Sequence, residues 1–345
     1  MIFKLDSLSP MFLKYHPLLL TFSLFVFALL SAPSLLLAET YTKAELITYL
    51  VTETKLPQAF VEKHIQAASF DGSLIDKMNT PYESRSYAEY RPLFVNTRLK
   101  IKAEAYIKEH RAIFDEAQAK YGVAPEIIAA ILGMETRFGA NRGNDKVLDA
   151  LFTLSSGYER RANFFRSELK DFLLLCSEED LNPQAVLGSY AGAFGTTQFI
   201  PTSYRAYAVD ADGDGKRDVW NTPKDIIFSV ANYFSRHKWD DAKPVAHWIA
   251  KPLPSKLVKQ ALKDETREWR ALADFTKVGI KKPNSQWSND DQVALVTRKT
   301  DKGVRTLLLG RNFHTITRWN RSWNYALAAT ELAFMLGNDK CEVGK

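Results

Sequence analysis

The stretch PEIIAAILGMETRFG, residues 125–139, constrains this chain more than any other. Pro125 suits the first position of a helix, and Gly139 suits its stop. Ile128, Ile131, Leu132 and Glu135 fall at i, i+3, i+4 and i+7, so they share one stripe. A stripe of that kind faces a core, yet its last position carries a carboxylate. Desolvation disfavours the charged form of a Glu, and a Glu held protonated can donate a proton to a leaving oxygen. On spacing alone the plainer reading is better supported: a surface Glu near a helix end, paired with Arg137 or Arg142.

The rest of the chain is mostly helical in pattern. Residues 43–70 read as two short helices, the second opening at Pro57, and residues 71–96 as a loop. Leu99, Ala103, Tyr106, Ile107, Ile113, Phe114, Ala117 and Tyr121 keep a helical period over 97–121, ended by Gly122. Further helices are expected near 145–155, 159–178, 222–237 and 322–336. GSYAGAFGTTQFIP, 188–201, breaks the pattern with Gly188, Gly192 and Gly195 among small side chains, so backbone must approach something closely there. QVALVTR and VRTLLLG, separated by TDKG, predict a β-hairpin, and FHTITRW a third strand. Residues 240–290 give no clear period.

The N-terminus has its own logic. Lys4 and Lys14 precede an apolar run from Leu18 to Leu30, and small residues follow, with a possible cut after Ala38. Residues 1–38 therefore read as a secretory signal peptide, or else as an uncleaved membrane anchor, since no charge falls between Pro17 and Ala38. No Cys near the cut could accept a lipid. Cleavage removes Lys4, Lys14 and Asp6 and lowers the net charge from +6 to +5. A mildly basic exported chain suits a polyanionic cell-wall or membrane surface. No long basic run or nucleic-acid motif is present, so nucleic acid is not an expected partner. An oxidising compartment could bridge Cys176 and Cys341, but Cys176 shares the apolar stripe of Phe165, Leu169 and Phe172, the look of a buried thiol. Cys341 lies in a polar tail.

The succession ETRFG, ALFTLS, YERRA, GSYAGAFGTTQF, an acidic loop and SVANYF, carried between residues 135 and 234, closely resembles the lytic murein transglycosylase B family, glycoside hydrolase family 103. The likeness runs from about Tyr90 to the final helix. It implies a mainly α (α+β) fold: a lysozyme-like core at about 120–240 with flanking helices, an EF-hand-like loop and a small β part at about 285–318. It also implies cleavage of the MurNAc–GlcNAc β-1,4 bond of peptidoglycan without water, leaving a 1,6-anhydro-MurNAc end, with Glu135 as the single catalytic acid and base. An intramolecular nucleophile removes the need for the second carboxylate that other glycosidases use. The resemblance implies no catalytic cofactor and a monomer in the periplasm acting on glycan strands, with cell-wall synthesis or remodelling proteins as further partners. A non-catalytic peptidoglycan-binding scaffold and a water-using muramidase are the alternatives.

By the same resemblance, Ser189 and Gln198 contact substrate near the cleavage point, and Arg160 and Arg161 meet the carboxylates of stem peptides. Tyr90, Tyr233 and Tyr325 fall at cleft positions, and Trp319 and Asn320 stand where Tyr-Asn is usual. Flat aromatic faces suit sugar rings, though helical aromatics also build cores. Phe164 replaces a usual Tyr. DADGDGKRDVWN, 210–221, fits a twelve-residue EF-hand loop. Asp210, Asp212, Asp214, the carbonyl of Lys216, Asp218 and Asn221 take the ligand positions, with Asp225 as a substitute for a weak Asn221. Oxygen-only donors predict a structural Ca²⁺.

Overall fold

The computed structural model describes residues 41–79, 86–249, 253, 256, 269–277, 279–300 and 303–341. The expected signal segment, 1–38, lies outside them. In chain order the main helices are α1 (Lys43–Thr54), α2 (Gln58–Ala67), α3 (Ser73–Asn79), α4 (Tyr87–Phe94), α5 (Thr97–Glu109), α6 (Arg111–Tyr121) and α7 (Pro125–Thr136). They continue with α8 (Val147–Gly157), α9 (Ala162–Glu178), α10 (Pro201–Tyr207), α11 (Pro223–Arg236), α12 (Leu272–Lys277), α13 (Arg311–Trp319) and α14 (Trp323–Met335). No helix among the described residues is long and apolar enough to cross a membrane.

Helix α7 is the pivot. Pro125 occupies its first turn, and every residue from Ile127 to Met134 is buried, so it is apolar all round rather than on one stripe. Helices α5, α6, α11 and α14 pack about it. Burying Ile127, Ile128, Ile131 and Leu132 stabilises the fold by about 1.5–3 kcal/mol each.

Three expectations change. The segment read as a loop, 71–96, contains α3 and α4. Ser86 and Glu89 form a capping box that starts α4, and Tyr87 and Tyr90 put their rings in the core on one face. The expected long helix 97–121 breaks at His110, whose φ of −109° and ψ of 28° end one helix and open the next. FHTITRW is helical, within α13. Phe313 and Ile316, together with Asn312 and Thr315, are buried at helical spacing, and this burial overrides the β-branched composition.

The strand expected there comes instead from the unreadable stretch. Four strands, β3 (Ala246–Trp248), β4 (Arg270–Ala271), β5 (Gln292–Thr300) and β6 (Gly303–Leu309), form a sheet in the order β3-β6-β5-β4. A two-stranded ribbon, β1 (Asp145–Lys146) with β2 (Leu187–Gly188), lies earlier in the chain. Pairing is antiparallel, with Leu308 opposite His247 on one side and Leu295 on the other. Alternation divides the hairpin. Val293, Leu295 and Leu308 join a small cluster with Leu272, Ile280 and Trp287, while Val296, Leu307 and Leu309 join the main core.

Both cysteines are free thiols and buried. Cys341 is fully buried rather than in a polar tail, because the carbonyl of Lys340 accepts from Val245 N at 2.8 Å and docks the C-terminal turn beside β3. Burial pushes both thiols up from their ordinary value, Cys341 the more deeply enclosed.

Candidate active site

Helix α7 ends abruptly at Thr136, one residue past Glu135. Arg137 and Phe138 both have left-handed backbones, φ 52° and 63°, and Gly139 follows at φ 83°. Two consecutive non-glycine residues in this region cost about 1–2 kcal/mol each. Phe138 is held by stacking on Tyr106, ring centroids 4.7 Å apart, and its amide bonds back to Leu132 O at 3.2 Å. The chain thus turns away at once and leaves the half-buried Glu135 at the helix end.

Two donors from the far end of the sequence meet that carboxylate. Trp319 Nε1 donates to Glu135 Oε1 at 2.7 Å, and Tyr325 Oη donates to the same oxygen at 2.6 Å. The indole sits in a box of rings. Phe234 stacks parallel to it at 5.7 Å, Tyr233 meets it edge-on at 4.7 Å, and Phe199 lies at 5.2 Å. Tyr233 is itself fixed, its hydroxyl donating to Arg318 O at 2.7 Å. Burial pushes that phenol well above its ordinary value, so it stays a donor.

The glycine-rich segment forms a second wall. A Cβ on Gly143 would fall 2.0 Å from Gly188 O, so only glycine lets the loop after α7 touch this segment. Ser189 lies just beyond. Its Oγ accepts from Ala191 N at 3.3 Å and Ala193 N at 3.2 Å, a local turn bond. Gln198 has φ 50°, and its Nε2 donates to Arg142 O and Gly195 O, both at 3.0 Å. No donor among the described residues is bonded to its Oε1.

The sequence pattern gives Thr136 no role and Arg142 only a pairing with Glu135. The Arg142 guanidinium reaches elsewhere: Thr196 Oγ1 at 3.1 Å, Trp220 O, and Asn221 Oδ1 at 3.4 Å. It joins the loop after α7 to both the glycine-rich segment and the acidic loop. No periodic pattern marks such a residue; its place after a sharp turn and before Gly143 is the only local sign.

The other expected residues are placed as follows. Tyr90 is 2% exposed, against Phe94 in the core. Asn320 Oδ1 accepts from Ser322 N at 2.9 Å, a turn bond that leads into α14. Arg160 and Arg161 are exposed on a 3₁₀ turn, Glu159–Arg161. Arg160 bonds Asn79 Oδ1 and Tyr158 Oη, both at 2.7 Å, and Arg161 covers the Phe164 ring at 4.2 Å. Among the described residues these two guanidiniums bond Asn79 and Tyr158 or cover the rings of Tyr158, Phe164 and Phe165, away from the partners that hold Glu135.

In the acidic loop, Asp210, Asp212 and Asp214 each bring a carboxylate oxygen within 4.8 Å of the other two. Such a convergence of hard oxygens fits a cation of the Ca²⁺ type. Asp218 and Asn221 turn away from it. Asp218 accepts from Trp220 N at 2.8 Å and Asn221 N at 3.0 Å, and Asn221 is engaged by Arg142. Asp225, fully buried, accepts from Ala211 N and Asp218 N, both at 2.8 Å, and so staples the two ends of the loop. Burial raises its carboxyl above the ordinary value.

Residues 39–334 match the family described as Transglycosylase SLT domain. The chain belongs to that family. Its relatives in the transglycosylase SLT domain family include membrane-bound lytic murein transglycosylase B of Escherichia coli (strain K12), 36% identical over 250 residues, a match covering 72% of this chain and 66% of that protein. Among solved structures, soluble lytic transglycosylase SltB1 from Pseudomonas aeruginosa is 34% identical with a TM-score of 0.77, covering 85% of this chain and 97% of that one. The lytic transglycosylase Slt35 of Escherichia coli, solved in complex with calcium, is 31% identical with a TM-score of 0.74, covering 85% and 92%. SltB3 from Pseudomonas aeruginosa, solved with NAG-anhNAM-pentapeptide, is 27% identical with a TM-score of 0.75, covering 86% and 79%. The mainly helical fold is the lysozyme-like one these family members share.

Proposed function

We propose that this chain is a peptidoglycan lytic transglycosylase that cleaves the MurNAc–GlcNAc β-1,4 bond, with Glu135 as its single acid and base. The observation that carries the reading is the half-buried Glu135 carboxyl at the end of a buried helix, held by Trp319 and Tyr325 in a family of transglycosylases. The protonated carboxyl gives its hydrogen to the glycosidic oxygen as the C1–O bond breaks, and the bonding pair leaves with that oxygen. The resulting carboxylate takes the hydrogen of the C6 hydroxyl, whose oxygen bonds C1 of the same sugar. A 1,6-anhydro-MurNAc end results and no water is consumed. Ser189 and Gln198 face the sugars near the cleaved bond, with the Gln198 Oε1 as an acceptor for an N-acetyl N–H.

Ca²⁺ in the loop would be held by Asp210, Asp212 and Asp214 and would supply local order only; no step of the reaction passes through it. The protein is exported by its N-terminal segment and works in the periplasm on glycan strands as a monomer, beside cell-wall synthesis or remodelling proteins and apart from nucleic acid.

Mass spectrometry of products from purified peptidoglycan tests this. The native protein should release muropeptides lighter by one water than those of a muramidase, and Glu135→Gln should lower release at least about a hundredfold. Products carrying the added water would identify a hydrolase. A folded Glu135→Gln protein of near-native activity would remove Glu135 from its role, and a native protein that binds peptidoglycan but releases nothing would be a scaffold.

A further inference from the structure

Gln198 Nε2 donates to two carbonyls, Arg142 O and Gly195 O, both at 3.0 Å. Carbonyls only accept, so the amide must present its NH₂ to them and its oxygen away from them. We propose that Arg142 is a positioning residue: its guanidinium fixes the main chain around it, and the Arg142 carbonyl in turn holds the Gln198 amide with Oε1 toward the sugar. This rests on the reading that Gln198 faces the sugars near the cleaved bond.

Residues 137–144, between the end of α7 and β1, form no helix or strand, so their main chain needs other anchors. At the near end Asn141 N donates to Thr136 O at 2.9 Å, and at the far end Gly143 lies against Gly188. Between them the anchor is the Arg142 side chain. Nε donates to Thr196 Oγ1 at 3.1 Å, Nη2 to Trp220 O, and Nη1 to Asn221 Oδ1 at 3.4 Å. A planar fork engaged on three residues has one orientation, which an ammonium on a flexible stem does not reproduce. The fork is also confined from the turn below it, where a Cβ on Gly139 would lie 2.8 Å from Nη2.

The acidic loop does not need this arginine for its own closure. Asp225 accepts from Ala211 N and Asp218 N and joins the two ends, and Arg217 Nε donates to Glu179 Oε1 at 2.6 Å. Thr196 N donates to Val219 O at 2.8 Å, so the loop and the glycine-rich segment already meet through their main chains. What the Arg142 guanidinium adds is the place of its own carbonyl, and that carbonyl is one of the two acceptors that orient Gln198.

A double-mutant cycle on a short soluble glycan of alternating GlcNAc and MurNAc tests this, with a thermal melt of each protein. A contact made both before and during bond cleavage acts on KM rather than on kcat. Arg142→Met should raise KM about three- to tenfold, roughly the worth of one hydrogen bond, with kcat within about twofold of the native value. Gln198→Ala should raise KM at least as much. In the Gln198→Ala background, Arg142→Met should change KM by less than about twofold, because no amide is left to orient; a merely structural loss would add in full. Arg142→Lys keeps the charge without the fork and should give an intermediate KM; it replaces Arg142→Met in the cycle if that variant does not fold. A native KM in the folded Arg142 variant, or effects that add across the cycle, overturns the assignment while Gln198 keeps its role. A native KM in Gln198→Ala is a different failure, that of the reading of Gln198 in the proposed function, and it removes the positioning role as well.

Discussion

Thr136, the residue after Glu135, donates its hydroxyl to the carbonyl of Thr196 at 2.9 Å. The Thr136 hydroxyl oxygen in turn accepts from Gly139 N at 2.8 Å. One fully buried hydroxyl thus ties the end of the glutamate helix, its sharp exit turn and the glycine-rich wall into a single unit.

Thr136→Val keeps the shape and deletes both bonds. It leaves the Gly139 amide and the Thr196 carbonyl without this partner, at about 1–3 kcal/mol for each buried group. The melting temperature should fall by several degrees, and turnover should fall with it although Glu135 is intact. Thr136→Ser should recover most of both. Melting and turnover equal to the native values in Thr136→Val would show that the tie is dispensable.

The resemblance implies that Ser189 and Gln198 contact substrate, and their geometry adds a part in holding the fold. Ser189→Ala loses a turn bond to two amides, so it should cost about 1 kcal/mol of stability as well as activity. Gln198→Glu is the sharper variant. It removes the N–H groups that face Arg142 O and Gly195 O and sets a carboxylate against two carbonyls. It should melt below Gln198→Ala in differential scanning calorimetry at neutral pH. The reverse order would mean that Gln198 does not tether the loop after α7.

Calcium should act on stability rather than on chemistry. The three converging aspartates predict weak binding, roughly 10⁻⁴ to 10⁻³ M, so millimolar Ca²⁺ should raise the melting temperature modestly by mass action. Asp210→Ala should abolish the rise. Asn221→Asp adds a charge that Arg142 already stands ready to pair, so it should stabilise the loop even before Ca²⁺ is added. Activity on short glycans should survive chelation in part. A melt indifferent to Ca²⁺ in the native protein and in Asn221→Asp would reduce the loop to a solvated turn.

Local chemistry made much of this protein legible. The helix at 125–136, the Pro and Thr that open 223–236, the hairpin alternation over 292–309 and the Asp-x-Asp-x-Asp loop each depend on neighbours within a turn or two. Glu135 was visible for the same reason, as a carboxylate out of place on an apolar stripe. What the tertiary structure decided was partnership. Trp319 and Tyr325 lie 184 and 190 positions from the oxygen they hold. Nothing in FHTITRW says that it winds into a helix; only the core that receives Phe313 and Ile316 does. Arg142 could have paired with Glu135 by proximity in sequence, but the left-handed turn at Arg137 and Phe138 carries it away toward the acidic loop. Cys341 is buried because β3 offers an edge to the turn that holds it. Periodicity tells which face of a segment is buried, but the partner that covers it is chosen by the packing of the whole chain.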